Sequence, residues 1–252
     1  MLIDTHCHLH DREFFSEEQA VAMLKRAAQN DVRKIICIGT SHEDSLKACK
    51  FASEHPGVYW TYGIHPENAD REVAGPIKTG PAAHPIAIGE VGLDYHYEGY
   101  DREAQIRLLE EMLQLAVEHD LPVSFHVREA FSDFFPVVMN FPGVRGVVHS
   151  FTDSKKVLRR ILEETEFYVG VNGLATYSTL PLPPLERILL ETDAPFLTPV
   201  PFRGIINESG YVRCVAEWLA TKLAVDLEIV ERETTKNAEK LFRFDDALIP
   251  TE

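Results

Sequence analysis

Eight short apolar runs, separated by longer amphipathic segments, constrain this chain more than any other feature. They are Leu2–Thr5, Ile35–Ile38, Trp60–Gly63, Ile86–Gly89, Val123–His126, Gly146–His149, Tyr168–Val171 and Ile188–Glu191. Short runs of branched residues without polar alternation suit strands buried on both faces, as in parallel sheets. Helical signals lie between several of them. Ser16 opens a capping box with Gln19, ahead of Val21, Leu24 and Ala28. Asp101–His119 carries Ile106, Leu109, Leu113 and Val117 as one stripe, and a helix after Asp153 turns Val157 and Ile161 inward. Tyr211–Leu223 predicts a terminal helix, and Leu227–Phe242 predicts two shorter ones. Eight strands alternating with helices fit an α/β fold, the (β/α)₈ TIM barrel; an open doubly wound sheet fits the same alternation. No GxGxxG or P-loop follows a strand, which removes the nucleotide-cofactor forms of the open sheet. The 252 residues suit one barrel domain over 1–252, with Ala74–Pro85 and Leu180–Pro184 as loops.

The formal net charge of −15 excludes a protein that holds nucleic acid mainly through a broad basic surface. No run approaches the length of a transmembrane helix, and no basic segment followed by an apolar one opens the chain. Cys7, Cys37, Cys49 and Cys214 show no metal spacing among themselves, so free thiols in a reducing cytoplasm are expected.

The chemistry concentrates where strands end. His6 and His8 flank Cys7 just past the first strand, and in extended backbone they share a face. One HxH pair among 11 histidines is weak evidence, and His8-Leu9-His10 forms a second. The strength lies in repetition. Glu90 ends the fourth strand, His126 the fifth and His149 the sixth, while Asp193 lies just past the eighth. These are metal-competent residues at the rim where barrel active sites are built. A buried carboxylate without a partner is costly, so Glu90 and Asp193 need a cation or donors close by. His65, in G-I-H-P-E, is a further rim histidine; metal ligand, acid/base group, substrate contact and turn stabiliser are all open to it.

These residues sit in segments that strongly resemble the TatD family of metal-dependent deoxyribonucleases, within the amidohydrolase-like barrels. The segments are I-D-T-H-C-H-L, G-I-H-P, A-I-G-E-V-G-L-D-Y, P-V-S-F-H-V-R-E-A, V-V-H-S-F, R-I-L-L-E-T-D-A-P-F-L and T-K-N-A-E-K-L-F. The resemblance implies one or two divalent ions, with His6, His8 and Asp193 on one, His126 and His149 on the other, and Glu90 bridging. It also implies hydrolysis of DNA phosphodiester bonds by a metal-activated water. The chain departs from the family at His10, where an acidic residue is usual, at H-S-F-T-D-S and at Ser209. It is also short from Thr176 to Pro184, where relatives carry a helix, so a reduced element is expected between strands seven and eight.

On this reading Asp193 and Glu90 are the catalytic carboxylates, with Asp193 also accepting a proton. Arg203, Arg128, His65 and Asp94 are candidate substrate contacts, and Lys155, Lys156, Arg159 and Arg160 form a basic helix face. Two divalent cations against two carboxylates leave a local charge of about +2, strong at contact distance although the whole protein is acidic. DNA is therefore expected to bind weakly and only with metal, to a monomer that contacts no membrane. Mixed N/O ligands accept Mg²⁺, Mn²⁺, Zn²⁺ or Fe²⁺. The same ligands suit a hydrolase of a cyclic amide, an aminoacyl-tRNA ester or a small phosphoester. A catalytically idle metal-binding partner protein is the alternative from another class.

Overall fold

The computed structural model describes residues 1–77 and 84–244. Eight strands form one parallel sheet in chain order: β1 (Leu2–Cys7), β2 (Val32–Cys37), β3 (Val58–Tyr62), β4 (Ala87–Asp94), β5 (Val123–Arg128), β6 (Gly146–Val148), β7 (Tyr168–Val171) and β8 (Ile188–Leu190). The ends of the sheet meet. Asp193 N–H donates to His6 O and His8 N–H to Ala194 O, each at 2.8 Å. Buried Asp4 fastens the same seam by accepting from Thr192 N at 2.9 Å and Thr192 Oγ1 at 2.7 Å. The result is the expected TIM barrel rather than an open sheet.

Among the described residues seven α-helices lie outside: α1 (Glu17–Gln29), α2 (His42–Glu54), α3 (Arg102–Glu118), α4 (Phe131–Met139), α5 (Lys155–Glu164), α6 (Val212–Leu223) and α7 (Leu227–Phe242). The capping box forms, with Ser16 N donating to Gln19 Oε1 and Gln19 N to Ser16 Oγ. The inward faces differ from the expected stripes. In α1, Ala20, Met23 and Ala27 are buried instead of Val21, Leu24 and Ala28; in α3, Ala104, Leu108, Met112 and Ala116 join Leu109 and Leu113 while Val117 is exposed. In α5 Leu158, not Val157, joins Ile161 inside. Leu227–Phe242 is one helix, not two, because no Gly or Pro interrupts it.

Two crossovers are reduced. Between β7 and β8 there are only single 3₁₀ turns, Gly173–Thr176 and Leu185–Arg187, so the element expected to be reduced has no α-helix at all. Helix α7 packs against β1 and β8 and covers the outside of the seam. Between β3 and β4 the described residues carry one turn, Pro66–Asn68; residues 78–83 of the expected Ala74–Pro85 loop lie outside the described set. Inside the barrel Ile3, Ile36, Tyr59, Val147, Tyr168 and Leu189 form an apolar plug. Polar groups are therefore gathered at the C-terminal ends of the strands. No helix among the described residues is long and apolar enough to cross a membrane.

Candidate metal centre

Two irregularities in the strand ladder aim ligands inward. The β1–β2 register shifts between Asp4 and Cys7, next to His6, and the β4–β5 register shifts between Ile88 and Val91, around Glu90. Such shifts re-aim side chains that strict alternation would send elsewhere. Strand β4 runs on to Asp94 rather than stopping at Gly89, so Glu90 lies within the strand. His126 lies within β5, while His149 and Asp193 follow β6 and β8.

These residues converge although they are distant in sequence. His6 Nε2 lies 3.5 Å from Glu90 Oε2 and 3.6 Å from Asp193 Oδ1. His8 Nε2 is also 3.6 Å from Asp193 Oδ1, and His149 Nε2 is 3.7 Å from Glu90 Oε1. These separations exceed ordinary hydrogen bonds. Two donors each ~2.1 Å from one cation at a tetrahedral angle lie about 3.4 Å apart, so the spacing fits a shared ion. His6 Nε2 is buried with no hydrogen-bond partner, an orphan such an ion would satisfy. Among the described residues, donor atoms of three groups gather tightly enough at this rim: His6, His149 and Asp193; His6, His8 and Glu90; and His65, Glu90 and His126. The residues present thus fit one or two divalent ions.

Neighbours set which nitrogen each imidazole offers. His8 Nδ1 meets Ile38 O at 3.2 Å, His6 Nδ1 meets Ser124 Oγ at 3.4 Å, and His149 Nδ1 meets Glu191 Oε1 at 3.1 Å. All three leave Nε2 toward the cluster. His126 differs: its Nδ1 is 2.9 Å from Glu90 Oε1 and its Nε2 is 2.8 Å from Asp94 Oδ2. Burial works against charge on His126, but Asp94 and Glu90 outweigh it and push the imidazole up to about 9. Burial likewise opposes charge on His149, and Glu191 reverses this, up to about 10. His6 is lowered, by burial and by His149. Glu90 is held well below the usual carboxylate range, because the hydrogen bond from His126 and the nearby imidazoles of His6 and His149 overcome its burial.

The expected substrate contacts scatter more widely. His65 Nε2 is 3.9 Å from Glu90 Oε1, and its Nδ1 accepts from Glu67 N at 3.3 Å, so it borders the cluster and also caps a turn. Asp94 is occupied by His126 and by the backbone N–H of His96, and it lines a 380 Å³ cavity with Asp70, Tyr97 and Tyr100. Arg128 lies over Tyr97, with its guanidinium carbon 5.3 Å from the ring centroid. Arg203 is exposed and stacked over Tyr177, with its guanidinium carbon 3.6 Å from the ring centroid. In the R-G-I-I-N-E segment, Asn207 and Glu208 have structural partners. Asn207 Nδ2 donates to Thr192 O and Phe196 O, and Glu208 pairs with Arg26. On the basic face, Arg160 is tied to Glu164 and stacked on Phe135. His10, the competing HxH member, turns away and meets Asp44 Oδ1 at 3.1 Å. The sequence reading missed Glu191; its one signal is an acid at the end of the apolar run I-L-L-E.

A family model described as "TatD related DNase" matches residues 3–243. The chain is 33% identical to the uncharacterized metal-dependent hydrolase YabD of Bacillus subtilis (strain 168), over 96% of this chain and 99% of that relative. It is 32% identical to a protein of Cronobacter sakazakii named "3'-5' ssDNA/RNA exonuclease TatD", over 87% of this chain and 90% of the other. The crystal structure of YJJV, a TatD homolog from Escherichia coli K12, superposes with a TM-score of 0.81 at 29% identity, covering 97% of this chain and 98% of that one. With its barrel, its converging donors and a family match over nearly its whole length, the chain belongs to the TatD family of metal-dependent hydrolases.

Proposed function

We propose that this hydrolase cleaves phosphodiester bonds of DNA, as a monomer with one barrel domain, holding its ions with His6, His8, Glu90, His126, His149 and Asp193. The observation that carries this reading is the set of 3.5–3.7 Å gaps between His6, His8, His149, Glu90 and Asp193, with His6 Nε2 unpartnered. Bound divalent ions would lower the pKa of a water, polarise a phosphoryl oxygen and offset the acidity of the whole chain. Glu90 lies between the two histidine groups and is the candidate bridge. Asp193 is the group assigned to take the proton of the attacking water. The water oxygen would bond to phosphorus as the bond to the leaving alkoxide breaks, and the alkoxide would take up the proton that Asp193 accepted. Arg128 and Arg203 are the candidate phosphate contacts. The name of the Cronobacter relative and the family description support a nucleic-acid substrate over an amide.

The test compares a single-stranded oligodeoxynucleotide, a mononucleotide ester, a cyclic amide and an aminoacyl-tRNA as substrates. Each is offered to chelated protein, to protein resupplied with Mg²⁺ or Mn²⁺, and to His6→Ala. Metal-dependent cleavage of the oligonucleotide, lost in His6→Ala, is expected. Faster turnover of the amide or the aminoacyl ester would replace the substrate assignment, and inactivity on all four would favour an idle metal-binding protein.

A further inference from the structure

Glu191 is completely buried at the end of β8, where an unpartnered carboxylate would be costly. Its Oε1 accepts from His149 Nδ1 at 3.1 Å, from Ser150 N at 2.8 Å and from Asn172 Nδ2 at 3.1 Å. Asn172 Nδ2 also donates to Ser150 Oγ at 2.9 Å, so the carboxylate sits in a linked polar group joining the ends of β6, β7 and β8. Room for it comes from Gly170: an added Cβ there would lie 2.3 Å from Glu191 Oε2 and 2.6 Å from its carboxyl carbon. A carboxyl side chain has thus been fitted behind one rim histidine, whereas His6 and His8 lean on a hydroxyl and a carbonyl.

We propose that Glu191 is the positioning residue of the metal centre, fixing the His149 ring so that Nε2 is the nitrogen offered to an ion beside Glu90. Glu191 Oε1 already accepts from Ser150 N and Asn172 Nδ2, so it meets His149 Nδ1 as an acceptor as well and that nitrogen carries the proton. Once the ring is neutral, that proton stays on Nδ1 and the lone pair falls on Nε2. Carboxylates behind metal-bound imidazoles fix ring orientation and raise ligand basicity, and their loss commonly weakens metal binding ~10–100-fold. Glu191 touches neither substrate nor, in this arrangement, the ion. The proposal rests on the metal-centre reading above.

The test uses the full chain stripped of metal. Mn²⁺ affinity is measured by calorimetry, and the slowly exchanging Nδ1–H proton of His149 is followed by NMR, assigned by its loss in His149→Asn. Glu191→Ala is expected to lose that resonance and to weaken the His149-dependent ion ~10–100-fold. Glu191→Gln keeps an oxygen on the Ser150 and Asn172 donors, so it should retain the resonance and recover most of the affinity. A merely structural role would not produce that rescue in a protein of unchanged denaturation midpoint. Should Glu191→Ala fail to fold, Gly170→Ala reaches the same carboxylate from β7 and should lower Mn²⁺ affinity in the same direction. Wild-type affinity in Glu191→Ala or Gly170→Ala, or a His149 Nδ1–H signal that persists in Glu191→Ala, overturns the proposal. If wild-type protein takes up no Mn²⁺, the metal-centre reading fails and the metal half of the proposal with it. The NMR comparison would still decide whether Glu191 orients the ring.

Discussion

The imidazoles of His6 and His149 lie flat against each other, with centroids 3.5 Å apart and planes 13° from parallel. Two stacked imidazolium ions would repel, and the pair resolves this by asymmetry. Burial and the neighbouring ring lower His6, while Glu191 overcomes burial to raise His149 to about 10. His126 is likewise raised to about 9, with Asp94 and Glu90 outweighing its burial. Metal-free protein near neutral pH therefore carries protons on His126 and His149 that a cation must displace. Raised values mean that this competition weakens as pH rises. Mn²⁺ affinity should increase from pH 6 to pH 8, by about tenfold per unit for each proton released. Calorimetry in buffers of different ionisation enthalpy measures the release directly. A flat or falling affinity, with no proton release, would refute the protonation states assigned here.

Asp193→Asn isolates charge from shape. Asp193 has φ +58°, a left-handed conformation that asparagine tolerates and alanine does not favour. The substitution should therefore fold, bind Mn²⁺ more weakly and lose ~10²–10⁴-fold in kcat, the usual scale for a general base. Single-turnover cleavage with saturating metal is the measurement; a rate within about threefold of wild type would remove Asp193 from proton transfer.

Buried His10 and half-buried Asp44 form a pair beside His8. Burial opposes charge on both, yet their mutual bond wins, raising His10 to about 9 and lowering Asp44 to about 2. Because His10 is raised above 6.5, its contribution is full below pH 6.5 and is lost as pH climbs through 9. Because Asp44 is lowered from 3.8, its contribution is full above pH 3.8 and is lost as pH falls through 2. Both are present between pH 4 and 6. In chelated protein His10→Asn should then cost ~2 kcal/mol by urea denaturation at pH 5.5 and distinctly less at pH 9.5. An equal cost at both values would mean that the pair is not ionised.

The barrel was legible because its strands are buried on both faces and read as bare apolar runs, Ile35–Ile38 and Ile188–Leu190 among them. The rim donors were legible because few other residue types can hold a divalent ion. What escaped depends on contacts that no local pattern records. Helix α4 carries F-S-D-F-F-P-V-V-M; its buried Phe131, Phe134, Phe135 and Val138 stand at helical spacing, but Pro136 interrupts its helical propensity and the segment is only nine residues long. The faces of α1 and α3 turn Ala20, Ala27, Ala104 and Ala116 inward along with larger residues, and hydrophobicity alone ranks those alanines below Val21 or Ile106. Asp94 offers itself in sequence either to substrate or to fixing the loop after Glu90, and only the folded β4–β5 pair shows that His126 meets one of its oxygens. Arg203 sits on Tyr177, and only the folded loop brings those two residues together.

The most direct test of the convergence is anomalous diffraction from crystals soaked in Mn²⁺. The account expects at least one strong peak within ~2.0–2.3 Å of His6 Nε2 together with oxygens of Glu90 or Asp193. Peaks confined to the partly exposed cluster of Glu17, Glu54 and His55, with none beside His6, would contradict it.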